Sequence, residues 1–191
     1  RLARVSREAF HAKPRSEFDL LEAWNDLFAS LAHLLLDDAS GAGFEAPRQV
    51  FQSLKVPAGD RFCLLGRLVA SLARGDAAEM KMLARELEHA PDLRHGFLDV
   101  ATHLALAEAA LAHGSIEDAR RLAAEASGAI VGSSALELDG WLEMVKARLS
   151  RVSGDLTAAR GHLHRSAHTR ALLAELAPRA VVVDSVQMMR S

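Results

Sequence analysis

ATHLALAEAALAHGSIEDARRLAAEA, residues 101–126, is the stretch whose reading decides the fold. Its first half, 101–113, has only His103, Glu108 and His113 as strongly polar residues. A helix that is apolar nearly all round must be covered on most sides. Gly114-Ser115 then interrupts the pattern: glycine suits the position just past a helix end, and serine suits the cap of the next helix. Glu117 and Asp118 fall in the first turn of that next helix, where negative charge meets the positive end of the dipole. Ile116, Ala119, Leu122, Ala123 and Ala126 make one apolar stripe, while Glu117, Asp118, Arg120, Arg121 and Glu125 point elsewhere. A buried helix, a tight turn and an amphipathic helix add up to an antiparallel helical hairpin.

Working outward, the same turn recurs. Ala73-Arg74-Gly75-Asp76, Ala112-His113-Gly114-Ser115 and Val152-Ser153-Gly154-Asp155 share one grammar, and their glycines fall 39 and 40 residues apart. Each is preceded by an apolar-rich helix and followed by a charged amphipathic one. A regular period in this range signals a helical array. One hairpin cannot bury both faces of its first helix, but stacking on neighbours can.

The remaining segments fit around these units. Residues 1–15 are basic, with Leu2, Val5, Ala9 and Phe10 at helical spacing, and read as a docking helix or a linker that ends at Pro14. A helix from about Ser16 to Leu36 follows, with Leu20, Leu21, Trp24, Leu27, Phe28, Leu31, Leu34 and Leu35 on its apolar face. Residues 37–43 are turn chemistry, and a short helix from 46 to about 54 has Pro47 near its first position. Asp60 reads as the N-cap of a strongly apolar helix over 61–74, in which Arg67 is the only charge between the ends. An amphipathic helix over 77–89 is closed by Pro91. Beyond the central hairpin, a Gly/Ser loop over 128–134 leads into a helix from about 135 to 152. A long last helix spans 156–176 and is broken by Pro178, and Val181-Val182-Val183 leaves 180–189 open between a further helix and a short strand.

Composition bounds the function. The 191 residues give room for one domain with a real core, half of them are apolar, tyrosine is absent and the net charge is −2. That charge argues neither for nor against nucleic acid. The single cysteine, Cys63, excludes an internal disulfide and fits a reducing, cytoplasmic compartment. No apolar run approaches the ~20 residues of a membrane helix, and no signal peptide is visible. The chain opens on Arg1 rather than Met, which reads as a fragment of a longer protein.

The repeating unit resembles a tetratricopeptide repeat (TPR). In that family a small residue sits in the first helix and glycine begins the turn. Alanine follows at five, an apolar residue at nine and a small one at twelve positions after that glycine. The central unit supplies Leu106-Ala107, Gly114, Ala119, Ala123 and Ala126, and the third supplies Ala147, Gly154, Ala159, Leu163 and Ser166. The earlier unit departs at Leu68 and Met80 but keeps Gly75, Ala84 and Pro91. The units exceed the family's usual ~34 residues, which is similar to the long repeats of MalT-like bacterial regulators. The resemblance covers about 61–176, with a degenerate first unit at 16–54. It implies an all-α, right-handed α-solenoid of three to four antiparallel helical hairpins, one domain over 16–190.

In that family the first helices line a concave surface. Counting back from the turn glycines, the resemblance places Phe62, Leu65, Val69 and Leu72 there from one unit, Leu104, Glu108 and Leu111 from the next, and Trp141, Met144, Arg148 and Arg151 from the third. This groove is apolar at one end and carries a tryptophan and two arginines at the other. It suits an amphipathic or extended peptide with an acidic end. The plainer reading is that Phe62, Leu65 and Val69 pack on another helix.

Catalytic signatures are missing: there is no Walker loop, GxGxxG, HExxH or CxxC. His164 and His168 share a helix face at a spacing that holds metals, but no carboxylate joins them before Glu175, so no metal or cofactor is expected. The same helix carries Arg160, Arg165 and Arg170, which with the histidines form a basic strip without acidic residues over 158–174. The strip suits phosphate, an acidic partner or a second subunit; its plainer reading is a solvated outer face. No aromatic residues interleave it, which argues against single-stranded nucleic acid.

The expected function is a non-catalytic protein-interaction or regulatory module, part of a larger bacterial signalling or transcription-control protein. The Ala, Arg and Leu usage fits a GC-rich genome. A small-molecule effector sensor and a homo-oligomerisation scaffold are the alternatives.

Overall fold

The computed structural model describes residues 16–35, 43–90, 96–130 and 136–188, the last stretch by side chain as far as Leu173. Residues 1–15, the turn at 37–42, Pro91 and the loop at 131–134, each assigned a role from sequence, lie outside these. Everything described is helix or connecting turn: α1 (Ser16–Leu35), α2 (Glu45–Ser53), α3 (Pro57–Arg74), α4 (Ala77–Glu88), α5 (Gly96–Ala112), α6 (Ile116–Ile130), α7 (Leu136–Val152) and α8 (Leu156–Met188). The protein is all-α, with no strand among the described residues. It divides between Leu93 and Arg94 into two compact units.

The three glycine turns share one geometry. Gly75, Gly114 and Gly154 have φ of 70°, 76° and 81°, a region that costs a side chain energy and glycine almost nothing. At the central turn the Gly114 N–H donates to Leu111 O (3.1 Å) and the Ser115 N–H to Ala110 O (2.8 Å). The pairs Gly75 to Leu72 and Asp76 to Ser71, and Gly154 to Arg151 and Asp155 to Ser150, repeat this double closure of the helix end. The residue after each glycine starts the next helix. Asp76 accepts from the Glu79 N–H at 3.0 Å and Asp155 from the Ala158 N–H at 2.9 Å, while Ser115 Oγ donates to Asp118 at 2.7 Å.

In the first unit α3 packs against α1, α2 and α4, and α2 also packs on α1. Ala23, Leu27, Phe44, Phe51, Cys63 and Ala70 form its core, with Trp24 meeting Phe51 edge-on at 4.8 Å between ring centroids. Phe44 and Phe51 lie directly on the backbone of α3. A Cβ on Gly66 would overlap the Phe44 ring, and one on Gly59 would overlap the Phe51 ring. Two phenylalanines seven residues apart thus fill two side-chain-free notches with the same spacing. Arg48, only 9% exposed, ties the same helices by charge: Nε donates to Asp60 at 2.8 Å, and Nη2 bonds Glu86 of α4.

Three sequence expectations are corrected here: the Gly/Ser stretch read as loop from 128 is still helix as far as Ile130. Asp60 is not an N-cap. The helix begins at Pro57, whose missing N–H falls where no helical partner exists, and Asp60 serves Arg48 from within the first turn. Nor does Pro178 end the last helix, because α8 continues to Met188. An interior proline forfeits one backbone bond and crowds the preceding turn. The valines at 181–183 join the helix, where branching at Cβ costs little.

In the second unit α5 and α6 form one hairpin, α7 and α8 another, and α7 packs against both α5 and α6. The near-continuous apolar surface of α5 is accounted for: Leu98, Val100, Ala101, Leu104, Ala105, Leu106, Ala107 and Ala109 are all buried. Ala119, Leu122, Ala123 and Ala126 of α6 are buried as the stripe requires. Ser166 of α8 donates to the Gly140 carbonyl of α7 at 2.9 Å, so the second hairpin closes on small residues.

Gly66→Ala and Gly59→Ala should each destabilise the fold by about 1–3 kcal/mol, the range for forcing an added methyl into a packed core. Gly128→Ala, in α6 with nothing within 4 Å of its added Cβ, should instead be neutral or stabilise by up to about 1 kcal/mol. Denaturant melts of the three variants measure the difference, and equal effects would contradict the notch packing.

Candidate functional site

The second unit holds an open cavity of about 240 Å³ lined by Glu108 of α5, Glu137, Gly140, Trp141, Met144 and Arg148 of α7, and Arg170 of α8. The α7 residues recur at helical spacing and share one face. Glu108 and Arg148 stand 40 residues apart. They occupy the same position in consecutive hairpins, and the packing of α7 on α5 makes such positions neighbours.

Glu108 is the floor of this site. It is 6% exposed, and its carboxylate accepts from Arg148 Nη1 and from the Trp141 indole N–H. Burial pushes its pKa above the ordinary carboxylate value, and the charge and hydrogen bond of Arg148 only partly oppose this. The Arg148 side chain is 50% exposed, so one edge is anchored while the rest of its guanidinium faces the opening. Arg170 has no carboxylate partner among the described residues. Two guanidinium groups, an indole face and the Met144 thioether therefore line a cavity whose one buried acid is already engaged.

Of the residues expected on a recognition face, Glu108, Trp141, Met144 and Arg148 come together here. Arg151 is exposed and does not line the cavity. Phe62, Leu65 and Val69 lie on α3 in the other unit, where Leu65 is buried and Phe62 meets Trp24 edge-on at 6.2 Å. Arg170, Glu137 and Gly140 were not anticipated at this site. Which face α8 turns toward α7 depends on the packing of two helices and leaves no sequence signal.

The basic strip divides. Arg160, His164 and His168 are exposed. Arg165 instead reaches α7, where its Nε donates to Glu143 at 2.6 Å, and His162 Nδ1 lies 2.8 Å from the same carboxylate. Nδ1 also lies 2.6 Å from Arg165 Nη2, and it can donate to Glu143 or accept from Arg165 but not both. Burial works to raise the Glu143 pKa, but hydrogen bonds from His162 and Arg165 and the charge of Lys146 outweigh it, leaving the group below its ordinary value. The strip is uninterrupted along its own helix, but α7 supplies the acid that the sequence of α8 lacks.

Other groups carry less chemistry. The Cys63 thiol is buried in the first unit's core and pushed up to about 12, chiefly by burial and also by the charge of Asp60, so it stays protonated at neutral pH. A second cavity, about 280 Å³, is lined by Glu45, Arg67, Arg74 and Glu79 among others. Its charges close on one another: Arg67 bonds Glu45 at 2.9 Å and Glu79 at 3.2 Å, and Arg74 bonds Glu79 at 2.5 Å. Among the described residues no group of three or more His, Cys, Asp or Glu is placed to hold a metal, and no helix is long and apolar enough to cross a membrane. No protein-family model matches the sequence, and neither a curated protein nor a solved structure is significantly similar to it.

Buried Glu108 and half-buried Glu143 predict opposite pH responses. Glu108, with a raised pKa, is most favourable when protonated, so its contribution is lost as pH rises from its ordinary value of 4.5 through the raised one. Stability of Glu108→Gln relative to wild type should therefore increase with pH across that window. Glu143, with a lowered pKa, contributes above 4.5 and loses that contribution as pH falls through the lowered value. Glu143→Gln should cost stability at neutral pH and progressively less in acid. Thermal melts from pH 3 to 7 report both slopes.

Proposed function

We propose that the chain is a non-catalytic interaction module that binds an acidic, partly apolar peptide segment in the cavity around Arg148. The observation that carries this reading is the arrangement of Arg148, anchored on one edge by buried Glu108 and open on the other, beside Arg170, which has no carboxylate partner among the described residues, and beside Trp141 and Met144. A pre-positioned guanidinium loses little freedom when a carboxylate arrives, and the indole and thioether receive the apolar part of the same segment. The stacked hairpins of the second unit support a TPR-like array extended to the whole chain, of three to four hairpins, with a role in bacterial regulation as its setting.

A small-molecule effector is the weaker reading. A cavity of about 240 Å³ falls below the ~300–1,000 Å³ typical of pockets that enclose a drug-sized ligand. One or two peptide side chains fit that space better.

Peptides selected from a random display library against the 191-residue chain should be enriched in Asp or Glu next to an apolar residue. Arg148→Glu and Arg170→Glu should each weaken the selected peptides at least tenfold in fluorescence anisotropy, since a charge-assisted hydrogen bond is worth about 1.5–3 kcal/mol. Arg120→Glu, outside the cavity, should leave affinity unchanged. Selection without acidic enrichment, or full affinity in Arg148→Glu, would sink the proposal.

A further inference from the structure

We infer that the chain associates with a second copy of itself head to tail, α1 of one copy docking on α8 of the next. This goes beyond peptide recognition and uses other surfaces, with only Arg170 of the cavity bordering one of them. On α1, Phe18, Leu21 and Phe28 are 75%, 60% and 60% exposed, while Ala23 and Leu27 on the opposite side enter the core. Positions 18, 21, 25 and 28 follow the three-and-four spacing of a helix seam, so these side chains form one stripe. The charges beside it are Glu17, Asp19, Glu22 and Asp26, and α1 has no lysine or arginine.

On α8, Leu156 and Leu163 are 58% and 47% exposed, and exposed Ala167 continues their stripe. Arg160 falls in the stripe between Leu156 and Leu163, His164 and Arg170 lie beside it, and no acidic residue occurs from 156 to 174. An apolar seam edged with acid thus matches an apolar seam edged with base. The lengths agree as well: at about 1.5 Å per residue, 18 to 28 spans about 15 Å and 156 to 167 about 16 Å.

The internal repeat says independently that α8 presents a helix-receiving surface. Moving 40 residues on from α6, Ala119, Ala123 and Ala126 correspond to Ala159, Leu163 and Ser166. In α6, which packs against α7, Ala123 is 3% exposed; its counterpart Leu163 is 47% exposed. The position that another helix covers in the first hairpin of this unit is open in the second. Self-pairing of α1 would oppose four acidic residues to four, and self-pairing of α8 would oppose base to base. Residues 1–15 are also basic, but covering α1 with them would leave the α8 seam open, whereas the head-to-tail contact covers both. Because the two surfaces differ, each docked copy still offers one of them to a further copy, in series or in a ring where the rotation closes.

Light scattering and sedimentation of the full chain decide the matter. The mean mass should rise above the 20.6 kDa monomer with concentration and fall back as salt screens the flanking charges. Phe18→Glu and Leu163→Glu should each give a monomer with an unchanged helical spectrum, since both side chains are at the surface. Mixed in equal amounts, the two should form a species of twice the monomer mass, because one variant keeps its α8 surface and the other its α1 surface. A wild type that stays monomeric at every concentration would overturn the inference and leave residues 1–15 or another protein as the cover of α1. Self-association surviving in Leu163→Glu, or an equimolar mixture that stays monomeric, would overturn it in favour of a symmetric contact.

Discussion

A left-handed glycine between two helices, followed at once by the cap of the next, is the constraint on which the arrangement of the hairpins depends. At Gly114 the backbone reverses within two residues, the carbonyls of Leu111 and Ala110 find donors, and Ser115 already begins α6. A connection that short leaves the helices no choice but to lie side by side and antiparallel. The repeated geometry at Gly75 and Gly154 means that three helix pairs are set by one local rule. Packing then exploits what the turns impose: α5, flanked by α6 and α7, has almost no polar surface to lose.

Charge is used differently at two buried ionic sites, those of Arg48 and Glu108. Arg48 is held by carboxylates from two helices, Asp60 and Glu86, and those bonds outweigh the burial that works to lower its pKa, so the ion is retained with a raised value. Its donors are turned inward and it acts as a rivet among α2, α3 and α4. Glu108 is the reverse. It is buried more deeply than its partner, its pKa is raised, and Arg148 covers it from the solvent side with half its own surface exposed. A buried acid under an exposed base leaves the base available to a third group, and for that reason the proposed recognition surface is placed at the second site, not the first.

Much of this was legible in residues. The glycine spacing, the turns at Gly75, Gly114 and Gly154 and the apolar run of α5 carry short-range physics, and every helix but the last, which runs on past Pro178, lies within a few residues of its expected place. Glu108, Trp141, Met144 and Arg148 were also readable, because a repeat period converts sequence distance into proximity once hairpins stack. The exceptions depend on contacts between elements of different kind. Gly59 and Gly66 look like weak points in a helix until Phe44 and Phe51 are seen lying on them. Asp60 looks like a cap until Arg48 claims it.

By itself, then, the sequence determined the helices, the turns between them and the residues that repetition brings side by side, since these follow from backbone sterics and a 40-residue period. Only tertiary structure decided which surfaces those helices close and which they leave open. Arg165 pairs with Glu143 while Arg160 stays in solvent, though both lie on one basic helix. Leu163 is open where its counterpart Ala123 is covered. Burial is a property of the neighbour as much as of the residue, and the neighbour is chosen by packing across the fold.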